Sequence, residues 1–205
     1  MRIFVLSLVS IFLGCGSSNN GSDGDDSTFS FGNKNYVVIE QTTLNTSETE
    51  VDGTGSFIAK DALAAVASGN HFHIVGTLKE SSTLTLNANT TDSNTAGLQL
   101  NFQNAATVLK VSMEFGGNSV DLTDKFAGKD AASVSYHIDI HNDETPAHVL
   151  IWDGSVTEFS EENALFNSED GPAAPGNGSG SFWGVTLTDS KLTKLVVGEP
   201  EFEEE

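Results

Sequence analysis

The sequence predicts an all-β protein, an antiparallel β-sandwich. Apolar residues recur mostly at every second position within short segments, which is the pattern of strands with one buried face. Clusters of Gly, Asn, Asp and Ser separate these segments at intervals of about ten residues, as is typical of sandwiches and barrels. The predicted strands are NYVVIEQ, HFHIVGTL, STLTLNA, GLQLNF, TVLKVSMEF, SVDLTD, SVSYHIDI, HVLIWD, GSFWGVTLT and KLTKLVV.

One segment departs from this pattern. SFIAKDALAAVASG, residues 56–69, is rich in alanine. Ser56 is a residue type that caps helix starts, and Gly69 is one that ends helices. The segment therefore predicts one short helix packed on a sheet.

The first residues form a predicted signal peptide over residues 1–14. Arg2 precedes an apolar run from Ile3 to Leu13, which is too short to cross a bilayer as a helix. The order apolar, apolar, Gly14, Cys15 resembles the lipobox of bacterial lipoproteins, although Phe12 stands where that family most often has leucine. The resemblance implies cleavage before Cys15 and attachment of diacylglycerol to its sulfur. Ordinary secretion with an incidental cysteine is the alternative.

Composition divides the rest of the chain. Residues 15–33 are mostly small and acidic and predict a lipidated flexible tether, residues 34–198 form the β-sandwich domain, and residues 199–205 form an acidic tail. The formal net charge of −20 repels nucleic acid and anionic headgroups, so binding to nucleic acid is not expected. A single cysteine excludes an intrachain disulfide, so the core must hold the domain together.

The last third of the chain also indicates a particular sandwich. The segment SVSYHIDIHNDETPAHVLIWDG, followed later by GSGSFWGVTLTDSKLTKLVV, resembles concanavalin A-like and laminin-G-like jelly-roll domains. In those domains a long strand, a turn and a strand that closes on an Asp-Gly turn precede a final core strand. The resemblance implies a jelly roll.

Histidines form the candidate metal site. His71 and His73 lie two residues apart and so share one face of a strand, and Asp139 or His137 would supply a third ligand if the two strands are neighbours. The alternative is that these histidines face solvent. In the predicted hairpin of residues 133–153, Ile138 and Ile140 point to the core and the polar face is expected to be exposed.

The sequence favours binding over catalysis. Lectin-like sandwiches include glucanases with a Glu-x-Asp-x-Glu strand, but here only Asp139 matches, and His137 and His141 or Asn142 stand where glutamates are needed. No serine nucleophile elbow is found. Phe182 and Trp183 are candidate ligand contacts, because one ring of such a neighbouring pair faces away from the core in a regular strand. The alternative is that loops or the curved sheet bury both rings.

We therefore predict a lipoprotein of the bacterial cell envelope, at the outer membrane or cell surface, with a non-catalytic ligand-binding domain. Its expected partners are the membrane lipid attached through Cys15 and a glycan or another envelope component. No cofactor is expected. A metal-dependent enzyme that uses His71 and His73 and a purely structural envelope protein are the alternatives.

Overall fold

The computed structural model describes residues 27–60, 69–141, 145–178 and 180–199. These ranges contain twelve strands in antiparallel pairs and two short 3₁₀ helices, Thr123–Phe126 and Glu161–Asn163, so the all-β antiparallel prediction is confirmed. None of the helices in the described ranges is long and apolar enough to span a membrane.

The strands are β1 (Thr28–Phe31), β2 (Lys34–Gln41), β3 (Asn45–Thr46), β4 (Val51–Ala59), β5 (Gly69–Thr90), β6 (Leu98–Ala105), β7 (Val108–Phe115), β8 (Asn118–Asp121), β9 (Ser133–His141), β10 (His148–Asp153), β11 (Phe166–Asn167) and β12 (Phe182–Gly198).

Two long strands, β5 and β12, connect all the others. They pair with each other over almost their whole length. The first part of β5 also pairs with β9, which continues to β10 and β11, and the second part pairs with β6, which continues to β7 and β8. On its other edge β12 pairs with β4, followed by β2 and β1. We call β1-β2-β4-β12-β5-β6-β7-β8 the large sheet and β12-β5-β9-β10-β11 the small sheet.

The β5–β12 ribbon folds back on itself. Phe72 pairs with Val197 in the ribbon, yet its ring lies 5.7 Å from the ring of Trp183 near the other end of β12. On an extended strand, positions 183 and 197 would be about 45 Å apart. One register shift of the ribbon lies between Thr188 and Ser190, opposite residues 78–83, and there Ser81 has a φ of 68° in the left-handed region. The two sheets therefore face each other as a sandwich.

Apolar side chains from both sheets fill the space between them. Phe102 of the large sheet stacks on Tyr136 of the small sheet at 5.3 Å, and Tyr36 contacts Trp183 edge to face at 5.3 Å. Burial alternates strictly along β6, which is the predicted period of two. The largest buried side chains are Trp152, Trp183, Tyr36, Phe31, Phe57, Phe72, Phe102, Phe126 and Phe166.

The structure differs from the predicted secondary structure in three respects. The predicted helix over 56–69 is wrong at its start, because Ser56–Ala59 belong to β4, where Phe57 is buried and the strand pairs with both β2 and β12. Residues 61–68 lie outside the described ranges. The segments HFHIVGTL and STLTLNA form one strand, β5, and GSFWGVTLT and KLTKLVV form β12. Strands β1, β3, β4 and β11 were not predicted.

The boundaries at the start of the chain also shift. Strand β1, Thr28–Phe31, lies within the predicted tether of residues 15–33, because Phe31 is buried in the core and the strand pairs with β2. The predicted signal peptide and Cys15 lie outside the described residues.

Closure of the sandwich by Trp183 can be tested by truncating its side chain. We expect Trp183→Ala to lower the free energy of unfolding by about 3–5 kcal/mol, since it removes a fully buried indole and leaves a cavity. Urea unfolding followed by circular dichroism measures the change. The control is Val108→Ala, whose side chain is 44% exposed and which should stay within about 0.5 kcal/mol of the parent. Equal effects of the two substitutions would contradict the packing described.

Candidate functional site

A polar groove crosses the outer face of the large sheet. Its volume is about 410 Å³, and its walls come from strands β5 to β8 and the residues after them. The pairing register places Thr85, Asn101, Ser112 and Asp121 in one row across the four strands. The lining residues are Thr83, Thr85, Asn101, Gln103, Lys110, Val111, Ser112, Glu114, Ser119, Asp121 and Thr123.

Strand alternation explains why these polar side chains share one face. The residues between them on the same strands, such as Leu84, Phe102 and Met113, are buried in the core. Successive residues of a strand point to opposite faces, so the intervening Thr, Asn, Gln and Ser side chains must point outward. The groove is thus the outer surface of strands whose inner surface builds the core.

Hydrogen bonds connect the groove side chains. Thr85 Oγ1 donates to Asn101 Oδ1 at 2.6 Å, Asn101 Nδ2 donates to Ser112 Oγ at 3.5 Å, and Ser112 Oγ donates to Glu114 Oε1 at 3.4 Å. The first bond is short, whereas the other two are long and therefore weak. A ligand hydroxyl can replace the long bonds at low cost.

The groove carries more negative than positive charge. Lys110 is its one cationic side chain, and Glu114 and Asp121 are its carboxylates. Hydrogen bonds from the side chain and then the backbone of Thr123 hold the pKa of Asp121 below its ordinary value, so this carboxylate is ionised at neutral pH. No aromatic ring is among the lining residues, so the groove offers hydrogen bonds and charge in place of stacking.

The predicted histidine cluster lies on the outer face of the small sheet. His71 pairs with Asp139 and His73 pairs with His137 across the β5–β9 register, so the required strands are neighbours. His71 Nδ1 lies 2.5 Å from Asp139 Oδ1, and His71 Nε2 lies 2.9 Å from His137 Nδ1. The rings of His73 and His137 have centroids 3.8 Å apart.

This arrangement does not yet form a metal site. Both ring nitrogens of His71 already have side-chain partners, Asp139 and His137. Among the described residues, three metal-binding donors converge at His148, Glu161 and Glu169 and not at His71, His73 and Asp139. Metal binding by His71, His73 and Asp139 stays a prediction.

The polar face of the β9–β10 hairpin is buried or half-buried, so the expected exposure is wrong. Asp139 is 0% exposed and His71 is also buried. Phe159, from the loop that follows β10, lies over His71 and His137 with ring centroids 5.3 and 5.0 Å away. The loop covers a face that the alternation of the strands alone assigns to solvent.

Trp152 anchors this covering loop. The indole Nε1 donates to the backbone oxygen of Ser160 at 2.8 Å, and the ring contacts Phe159 at a centroid distance of 5.2 Å. Trp152 is fully buried although it faces outward from the small sheet, in register with His137. A single phenylalanine in the acidic segment 154–163 was the only sequence signal for this cover.

Phe182 and Trp183 were predicted as aromatic contacts to a ligand, and the prediction for Trp183 is wrong. Its ring packs in the core against Tyr36 and Phe72 and is 1% exposed, so it cannot stack on a ligand. Phe182 is half-buried at the start of β12 and is not among the residues that line the groove. Its role as a contact stays a prediction.

The comparisons with known proteins identify the fold. No protein family matches the chain, and no curated protein matches it. The solved carbohydrate-binding module CBM66 from Bacillus subtilis superposes with a TM-score of 0.50 and 8% identity, over 83% of this chain and 99% of that one. An alginate lyase from Pseudomonas aeruginosa superposes with a TM-score of 0.41 and 10% identity, over 82% of this chain and 83% of the lyase. Sheep galectin-11 in complex with glycerol superposes with a TM-score of 0.39 and 12% identity, over 71% of this chain and 98% of the galectin. The likeness to the carbohydrate-binding module supports the antiparallel β-sandwich fold.

The histidine cluster makes stability depend on pH. Burial first, then the charges of His137, Lys194 and His71, lower the pKa of His73 from its ordinary 6.5 to about 4. Between these values the unfolded chain binds the proton and the folded chain does not, so the free energy of unfolding should fall as the pH falls from 6.5 towards 4. Urea unfolding at a series of pH values should show a shallower fall for His73→Gln than for the parent.

A direct titration checks the cause of this effect. The ring protons of His73, followed by NMR, should titrate well below pH 6. Titration near 6.5, or equal pH dependence of parent and His73→Gln, would contradict the assignment.

Proposed function

We propose that this protein is a membrane-anchored lipoprotein whose β-sandwich binds carbohydrate without turning it over. The observation that carries the proposal is the groove of about 410 Å³ on the large sheet, lined by hydroxyl, amide and charged side chains from four strands. Pockets for drug-like molecules are mainly apolar. A polar groove of this size suits a ligand rich in hydroxyl groups.

The donors and acceptors of the groove match those of a sugar. Asn101 and Gln103 each offer an amide donor and an acceptor, and the carboxylates of Glu114 and Asp121 accept from hydroxyl groups. The fold supports the same proposal, since the superposed protein from Bacillus subtilis is described as a carbohydrate-binding module. The proposal rests on the groove chemistry for the ligand class and on the sandwich for the scaffold.

The charge state of Asp121 favours binding over hydrolysis. A glycoside hydrolase needs one carboxylic acid kept protonated beside a second carboxylate. Asp121 is held ionised by Thr123, and Glu114 is the one other carboxylate among the lining residues. Asp121 is therefore unsuited to the role of the protonated acid.

Glycan binding can be tested by removing the amide at the centre of the groove. We expect the full chain, made unlipidated by Cys15→Ala, to bind neutral glycans on an array. Asn101→Ala should weaken binding about tenfold, as loss of a hydrogen bond worth about 1–2 kcal/mol implies. Isothermal titration with the best array glycan measures the change.

Asn45→Ala is the matched control, because Asn45 is an exposed asparagine on β3, outside the groove. It should bind like the parent. Absence of any glycan binding would favour a structural envelope protein, and release of reducing ends from a bound glycan would contradict the non-catalytic assignment.

The membrane anchor is tested separately. We expect the wild-type chain, expressed in a bacterium with a clickable palmitate analogue, to carry the label and to sediment with membranes. Cys15→Ala should remove the label and release the protein from the membrane fraction, because the thiol is the acceptor for the lipid. Ser17→Ala is the control and should keep both properties. A labelled Cys15→Ala protein would refute lipidation at this position.

A further inference from the structure

The side chains of the polar groove form rows that run across the strands. The pairing register aligns one lining side chain from each of β5 to β8, namely Thr85, Asn101, Ser112 and Asp121, which we call the central row. Neighbouring strands lie about 4.8 Å apart, so the central row is about 14 Å long. The groove thus presents one polar side chain per strand along a line perpendicular to the strands.

A further row of polar side chains lies on each side of the central row. Gln103 pairs with Lys110 on one side, and Glu114 pairs with Ser119 on the other. These four residues lie two positions from members of the central row and so point to the same face of the sheet. All of them line the groove. A ligand that lies along the central row therefore meets hydrogen-bonding groups along both of its long edges.

A loop closes the groove at the end of the central row that faces β12. Thr186 of β12 pairs with Thr85 and would extend the row, but it does not line the groove. Asn94, from the loop between β5 and β6, donates through Nδ2 to Thr186 Oγ1 at 3.3 Å. A Cβ atom at Gly184 would meet Asn94 Oδ1 at 2.5 Å. The Asn94 side chain therefore covers the outer face of β12, where the row would otherwise continue.

Hydrogen bonds hold this loop in place. The backbone N–H of Thr91 donates to the backbone oxygen of Thr95 at 3.0 Å, and the backbone N–H of Asn94 donates to the backbone oxygen of Thr91 at 3.0 Å. Thr90 Oγ1 also donates to the backbone oxygen of Thr95, at 2.8 Å. The loop is thus fastened to itself and to the end of β5, and it forms a wall at this end of the groove.

The opposite end of the central row is open. Strand β8 is the last strand of the large sheet, so within the described ranges no strand follows Asp121 in the row. The turn that joins β7 to β8 is also uncrowded, since a Cβ atom at Gly116 or Gly117 would meet no atom of the described residues within 4 Å. A ligand can therefore leave the groove past β8 but not past β12.

The spacing and charge of the groove suit an extended neutral glycan. Each β-1,4-linked pyranose unit advances a chain by nearly the distance between neighbouring strands, so each unit can face one strand. Such a chain carries hydroxyl groups along both edges, where the outer rows lie. The carboxylates of Glu114 and Asp121 outnumber Lys110, and with the formal charge of −20 on the whole chain they repel acidic sugars.

We infer that the groove holds the terminal units of a neutral β-1,4-linked glycan, an inference that rests on the proposed carbohydrate binding. The chain end lies against Asn94, and the rest of the chain leaves past β8. A row of about 14 Å has room for about three units. The wall at Asn94 thus makes the groove select chain ends over the interior of a chain.

The test is isothermal titration of the full unlipidated chain, with Cys15→Ala in every sample. The probes are cello-, manno- and xylo-oligosaccharides from the monosaccharide to the hexasaccharide. In at least one series the affinity should rise about fivefold with each unit up to the trisaccharide, as added hydrogen bonds imply, and then stay level. Asp121→Asn should weaken binding of the trisaccharide more than binding of the disaccharide, because Asp121 lies at the open end of the row.

The wall is tested by Asn94→Gly. Asn94 has a φ of 57°, which glycine adopts readily, so the loop should keep its shape while Thr186 becomes accessible. The tetrasaccharide should then bind about fivefold more tightly than the trisaccharide, whereas the parent binds both equally. Ser93→Ala is the matched control, because Ser93 is exposed in the same loop, and it should bind both oligosaccharides like the parent.

The outcomes separate this inference from the proposed function. If the array shows binding of other glycans but none of the three series binds, the inference is overturned and carbohydrate binding stands. If no glycan binds at all, both are overturned. An affinity of the parent that keeps rising to the hexasaccharide, or a tetrasaccharide that gains nothing from Asn94→Gly, would overturn the assignment of the chain end to the wall.

Discussion

The contact between Phe72 and Trp183 is the constraint on which the rest of the structure depends. The two residues lie near opposite ends of the paired strands β5 and β12, and they meet because the ribbon folds over. Folding the ribbon brings the strands paired with its first part opposite those paired with its second part. The core, the polar groove on one outer face and the histidines on the other all follow from that bend.

The local sequence pattern was sufficient to predict most strands and the β9–β10 hairpin, because apolar residues at every second position indicate a strand with one buried face. Ile138 and Ile140 are in the core as predicted. The continuity of β5 was not predictable, since the polar residues from Lys79 to Ser82 look like a turn and only the paired β12 shows that they lie within one bent strand. The start of the predicted helix failed for a related reason, because pairing on both edges of β4 overrides local propensity.

The candidate sites show where sequence reasoning ends. The pair His71 and His73 was visible from spacing, but their neighbours His137 and Asp139 lie more than sixty positions away in the chain and become neighbours only through the sheet. The groove was not found, because outward Thr, Asn and Ser side chains look like any solvated strand face until four strands align them. The burial of Asp139 depends on a loop with one aromatic residue. The alternation of polar and apolar residues along a strand does not indicate that a loop covers one face of the sheet.

The position of β12 has a consequence for how the domain assembles. This strand lies between β4 and β5 in the sheet, yet it follows both of them, and every other strand, in the described chain. Until residues 182–198 are in place, β4 and β5 each expose an unpaired edge and Trp183 is missing from the core. Assembly therefore requires a late closure between distant parts of the chain, which makes folding slow and leaves partly made chains with edges open to aggregation.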